Sequence, residues 1–175
     1  MHILLLSASD HNSSRILQSA LSRNFTVTFL TPHSAYTRHH PNVTLINGLP
    51  ASQHHLEDAL QTPTYPEAVI LAFYNTHVLE AVATTLLSAL KAVNIREQAK
   101  TEVPISLPLR LVFIQSNTTQ LESDSRKRID TLIHESGLPF VLSQCPRLAR
   151  ELPAIIRASP GDGRSDTWLA ALKST

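Results

Sequence analysis

Glycine is scarce: among 175 residues only Gly48, Gly137, Gly161 and Gly163 occur. A loop that cradles phosphate needs glycine where a strand gives way to a helix. None of the four stands at such a place, which argues against a P-loop and against an intact dinucleotide fingerprint. Cysteine is scarcer still. Cys145 is the single one, so an internal disulfide is excluded and a reducing compartment, the cytosol, is expected. Only Arg147, across Pro146, stands near it as a basic neighbour, and the expectation is an inert buried thiol. Charge of one sign is also missing. Fifteen Lys and Arg against fourteen Asp and Glu leave a net charge of +1, scattered along the chain. Neither nucleic acid nor an anionic membrane would find the one-sided field it requires. No apolar run approaches the roughly 20 residues that cross a bilayer, and Ile3–Leu6 is too short for the core of a signal peptide.

What remains is an ordinary globular composition, 42% hydrophobic and 17% charged, long enough for one domain with a real core. The hydrophobic period switches repeatedly between strand and helix, which predicts a three-layer Rossmann-like α/β domain. It is built on a doubly wound parallel sheet of about six strands, with no separate substrate lobe. Strands are expected to begin near Ile3, Phe25, Val43, Ala68, Leu109 and Phe140. Ala68–Phe73 is apolar on both faces, as a central parallel strand must be. Arg15–Leu21 has helical spacing, and Ser52 is placed to cap a short helix to Leu60. Thr76 is expected to cap the longest helix, whose Leu79, Val82, Ala83, Leu86, Leu90 and Val93 form one stripe, read as core or as a dimer face. Residues 97–108 read as an irregular connection. Asp124–Ser136 is amphipathic and is stopped by Gly137. A further helix is expected near Arg147–Arg157, the domain ends near residue 158, and 159–175 reads as a tail.

In a sheet ordered 3-2-1-4-5-6, ligands sit beyond the carboxyl ends of strands 1 and 4. Ser7, Ser9, Asp10, His11 and Asn12 stand at the first of these ends, Phe73, Tyr74, Asn75 and His77 at the second, Thr31 beyond strand 2, and Ser116 beyond strand 5. A carboxylate, two histidines, a phenol and several hydroxyls would suffice for general acid/base work near neutral pH. On that reading Asp10, His11, Tyr74, His77 and Ser116 are the catalytic candidates. The plainer reading is that Asp10 and Asn12 cap the first helix, that Asn75 and Thr76 cap the third, and that the histidines are solvated. Nine histidines invite a metal site. Yet His39-His40 and His54-His55 are adjacent pairs that point apart on a helix or a strand, so no metal is expected.

Three stretches carry a family resemblance. Met1–Leu30 supplies a strand, a polar turn, a helix and a second strand. Pro41-Asn42-Val43-Thr44-Leu45-Ile46-Asn47-Gly48 matches the segment before a short helix. Arg110–Ser116, followed by Lys127 through Pro146, matches the later strand-helix-strand unit. Together they resemble the atypical short-chain dehydrogenase/reductases, NmrA-like and NAD(P)H-binding proteins in particular. The resemblance implies NAD(P) as cofactor, held by position at Ser7, Ser9, Asp10, His11, Asn12, Thr31 and Phe73. The departures are specific. Ser7, Asp10 and Ser13 occupy the three positions of a G-x-x-G-x-x-G turn, and Asp10 would present the wrong sign to phosphate. Thr31-Pro32-His33 stands where an arginine selects the 2′-phosphate. No Tyr-x-x-x-Lys pair occurs, and Ser116 with Lys127 is the nearest remnant. Gln144-Cys145-Pro146 replaces the arginine-proline pair before the substrate region.

The expected function is that of an NAD(P)-binding-fold protein without hydride transfer of its own, a pseudo-enzyme that binds a small molecule or a protein partner, alone or as a homodimer. Two alternatives stand beside it: an NAD(P)H-dependent reductase with a modified turn, and a cofactor-free isomerase or cyclase using the same cleft.

Overall fold

The computed structural model describes residues 1–7, 11–32, 40–73, 75–100, 109–114 and 123–143. The expected helix at Arg147–Arg157, the domain end near 158 and the 159–175 tail lie outside them. A six-stranded parallel sheet is formed by β1 (His2–Ser7), β2 (Thr26–Thr31), β3 (Val43–Asn47), β4 (Ala68–Ala72), β5 (Arg110–Ile114) and β6 (Phe140–Ser143), in the order β3-β2-β1-β4-β5-β6. Each strand starts within one residue of its predicted place. All of β1 and all of β4 are buried, which their apolar residues on both faces require.

Four helices accompany the sheet: α1 (His11–Leu21), α2 (Gln53–Gln61), α3 (Thr76–Lys100) and α4 (Ser123–Ser136). Alternate strand residues separate two apolar cores. Ile3, Leu5, Val27, Phe29, Ile70 and Val112 pack with Ile16, Leu17 and Ala20 of α1. Leu4, Leu6, Leu30, Leu71 and Phe113 pack with α2, α3 and α4, reaching Leu56, Leu86 and Ile133. Right-handed crossovers demand this division once the strand order reverses beside β1.

The helix ends follow local chemistry. α1 stops at Asn24, in the left-handed region at φ 56°, and the Phe25 amide returns to the Ala20 carbonyl at 3.1 Å. Asparagine is among the few residues with a side chain that tolerate this conformation. Gly137, at φ 67°, ends α4. Ser52 stands at the N-cap of α2, but its side chain makes no capping bond.

Three expectations need correction. Asn75, not Thr76, caps α3: its Oδ1 accepts the amides of His77 at 2.9 Å and Val78 at 3.2 Å, and Thr76 is already helical. The helix also continues through Lys100 rather than ending before Glu97. Arg96 Nη1 meets Glu57 Oε2 of α2 at 2.6 Å. Finally, Thr76–Glu97 is long and apolar enough to cross a membrane by composition. Its stripe from Leu79 through Val93 is nevertheless buried against the sheet, as in the core helix of a folded domain.

Charged residues lock the helical layer. The Arg128 fork of α4 grips Glu80 of α3, Nε to Oε1 at 2.6 Å and Nη2 to Oε2 at 3.1 Å. Glu57 also accepts from Gln53 Nε2 at 2.8 Å. The Gln53 hydrogen bond above all, with Arg96 in support, holds its carboxyl below the usual carboxylate range against the opposing effect of burial.

Candidate functional site

Ser7, the last residue of β1, pairs in register with Ala72, the last of β4. From these adjacent ends α1 departs over one face of the sheet and α3 over the other. The divergence opens the crevice in which doubly wound sheets bind ligands.

The floor of the crevice at β1 differs from a glycine turn. Ser7 and Ser13 are 0% and 1% exposed, and their hydroxyls are hydrogen-bonded to each other. The two serines hold the outer positions of the seven-residue fingerprint. In an intact fingerprint the first glycine permits the tight turn and the third lets helix and strand pack closely. Here two side chains fill that space and tie the first turn of α1 to the end of β1. The sequence placed Ser13 in this turn but did not show that its hydroxyl would bond that of Ser7. The signal for the bond was the serine spacing.

Other candidates fall in different surroundings. Thr31 ends β2 and is buried, and its carbonyl accepts the Gly48 amide at 3.0 Å. It therefore projects no side chain into solvent where a 2′-phosphate selector would stand. Phe73 belongs to the apolar cluster with Leu79 and Leu71. Asn75 is engaged as the cap of α3, and its position at the crevice is explained by that duty. His77 is exposed on the first turn of α3, at the rim of the crevice. His11 and Asn12 lie in the first turn of α1. Ser9, Asp10, Tyr74, Ser116 and Cys145 lie outside the described residues.

Among the described residues no three His, Cys, Asp or Glu side chains come together to hold a metal ion. The His54-His55 pair divides between separate partners. His54 Nε2 lies 3.7 Å from Asp58 Oδ2, and His55 Nδ1 accepts the Leu49 amide at 3.1 Å.

No protein-family model matches the sequence, and a search of curated proteins finds no significant match. Solved structures do match. WbmH of Bordetella bronchiseptica in complex with NAD+ is similar at TM-score 0.58 and 15% identity, over 82% of this chain and 55% of that one. UDP-glucose 4-epimerase of Thermus thermophilus in complex with NAD gives TM-score 0.60 and 14% identity, over 82% and 54%. Leucoanthocyanidin reductase of Vitis vinifera with NADPH gives TM-score 0.58 and 16% identity, over 83% and 47%. The chain spans about half the length of these neighbours. At such identities the likeness establishes the fold: this chain has the Rossmann-like architecture seen in NAD(P)-binding epimerases and reductases.

Proposed function

We propose that the chain keeps the architecture of a dinucleotide-binding domain, carries out no hydride transfer of its own, and uses the crevice beyond β1 and β4 to bind a small molecule or a protein partner. The observation that carries the reading is the buried Ser7–Ser13 hydroxyl pair. A pyrophosphate needs backbone amides bared by glycine at the start of the helix, and the described part of this turn does not fit it. The buried Thr31 supports the same conclusion for the 2′-phosphate of NADP. Asp10, by its charge, would oppose a phosphate further.

In this reading the protein works in the cytosol, in keeping with a lone cysteine, and Asp10, His11, Asn12, Tyr74, His77 and Ser116 surround the bound molecule. The competing reading, a reductase with a modified turn, draws support from the NAD and NADPH bound by the structural neighbours.

Titration with NADH and NADPH, followed by nicotinamide fluorescence and by calorimetry, separates the two. The proposal expects no saturable binding up to millimolar concentration. Saturable micromolar binding, or oxidation of NADPH with a carbonyl substrate at about 1–1000 per second, overturns it.

A further inference from the structure

Asn47, the last residue of β3, is the only asparagine in the chain followed by glycine. Every other asparagine precedes a residue with a side chain, as Asn42 precedes Val43 and Asn75 precedes Thr76. The difference is chemical. The side-chain carbon of an asparagine can be attacked by the backbone nitrogen of the next residue, and a Cβ on that residue shields the nitrogen. Glycine leaves it open and lets the backbone turn freely.

The fold treats the two partners differently. Asn47 is exposed, whereas Gly48 is buried. The Gly48 amide donates to the Thr31 carbonyl at 3.0 Å, so the attacking nitrogen is engaged. A Cβ on Gly48 would stand 2.8 Å from His55 Cγ and 3.0 Å from Leu30 Cδ1, so α2 and β2 cover this residue closely. His55 is fixed in its turn, since its Nδ1 accepts the Leu49 amide at 3.1 Å. Asn47 itself lies in register with Thr31. The extended backbone of a ladder residue turns the following nitrogen away from the side chain. Ring closure needs that peptide rotated out of the ladder.

We propose that Asn47–Gly48 is a covalent modification site: a deamidation site that the 48–52 turn between β3 and α2 holds shut, and that reacts when this turn opens. In the open turn the Gly48 nitrogen gives up its proton and bonds to Asn47 Cγ. The Cγ–Nδ2 bond breaks, and Nδ2 leaves as ammonia with that proton. Water then opens the succinimide. Cleavage between the Gly48 nitrogen and Asn47 Cγ gives aspartate, and cleavage at the Asn47 main-chain carbonyl carbon gives isoaspartate. No electrons are exchanged, and water is the one co-reactant. Either product sets a new carboxylate beside Thr31, on the same carboxyl edge of the sheet as the crevice. Isoaspartate also adds a methylene to the backbone where the Gly48–Thr31 bond forms. The covalent step is far slower than the reclosing of a turn, so its rate reports the equilibrium population of the open form.

The test is to age the full chain at mildly alkaline pH, folded and in urea, and to follow each asparagine by peptide mass spectrometry. Isoaspartate is read separately by enzymatic methylation. In urea, Asn47 is expected to convert well ahead of Asn42 and Asn75. Folding is expected to slow Asn47 by about tenfold or more. His55→Ala removes the ring over Gly48 and the acceptor for Leu49. It is expected to speed conversion in the folded protein several-fold, with the rate in urea unchanged and Gly48 amide exchange quickened by a similar factor. Should His55→Ala fail to fold, the wild type in urea below its unfolding transition gives the same comparison, and Asn47 conversion must rise in step with Gly48 exchange. Equal rates in the folded and unfolded chain overturn the gate. Conversion of Asn47 no faster than that of Asn42 and Asn75 in urea overturns the site, and conversion that ignores Gly48 exchange overturns the turn as what holds it shut.

Discussion

Ser7 and Ser13 bury their hydroxyls against one another at the point where β1 hands over to α1. Two side chains here fill the space that glycines leave open in an intact fingerprint. The triple variant Ser7→Gly, Asp10→Gly, Ser13→Gly is therefore expected to bind NADH saturably below about 0.1 mM, at least tenfold or about 1.4 kcal/mol inside the millimolar range where the wild type is expected not to saturate. It should also lose some stability, because glycine within the first turn of α1 costs roughly 0.5–1 kcal/mol. Fluorescence titration of wild type and variant measures the gain. Unchanged affinity in a folded variant would mean that the crevice is remodelled beyond its turn.

Asn75 offers a cleaner separation of structure from function. Its Oδ1 caps two amides at the start of α3, and loss of such a cap costs on the order of 1 kcal/mol. Asn75→Ala is expected to lower the melting temperature by about 2–4 °C, while Asn75→Asp and Asn75→Ser stay near wild type. Equal destabilisation by all three would show that the amide does more than cap.

The Glu57 carboxyl is held low first by Gln53 and then by Arg96. A depressed carboxyl contributes stability above its unfolded value and loses it as pH falls through the folded value. Urea unfolding of the wild type should show that loss on the acid side of the usual glutamate range, and Glu57→Gln should lack it. Because the Arg96 side chain is 58% exposed, screening keeps the ion pair within roughly 1 kcal/mol. An unchanged acid limb in Glu57→Gln counts against this assignment.

The sheet was legible because its strands announce themselves. β1, β4 and the middle of β5, buried on both faces, read as short continuous apolar runs, and the strand order follows the doubly wound pattern. The end of α3 was misjudged because the charges and prolines of 97–108 were read together, although Glu97, Gln98, Ala99 and Lys100 are good helix formers and the first proline stands only at 104. At the crevice the seven-residue spacing marked Ser7 and Ser13, but not that they would satisfy each other. Asn75 was ambiguous for a physical reason: the residue types that cap helices are also those that bind ligands.

Gly48 poses the last test, of packing rather than of backbone freedom. A Cβ there would stand 2.8 Å from His55 Cγ, 3.1 Å from His55 Cβ and 3.0 Å from Leu30 Cδ1. Leu30 is fully buried in β2, and His55 is fixed by the Leu49 amide on its Nδ1, so neither gives way freely. Gly48→Ala is expected to cost about 1–3 kcal/mol by overpacking. His55→Ala alone removes the acceptor for Leu49 but also empties the crowded space. In the double variant the closest contact, with His55 Cγ, is gone and the methyl introduced by Gly48→Ala meets Leu30 Cδ1 at 3.0 Å and the Cβ at position 55 at 3.1 Å, so the combined loss should fall short of the sum of the two single losses by roughly 0.5–3 kcal/mol. Urea unfolding of the four proteins in the cycle gives the coupling directly. Strict additivity would show that Leu30 and the Cβ at position 55, not the His55 ring, set the limit at this turn.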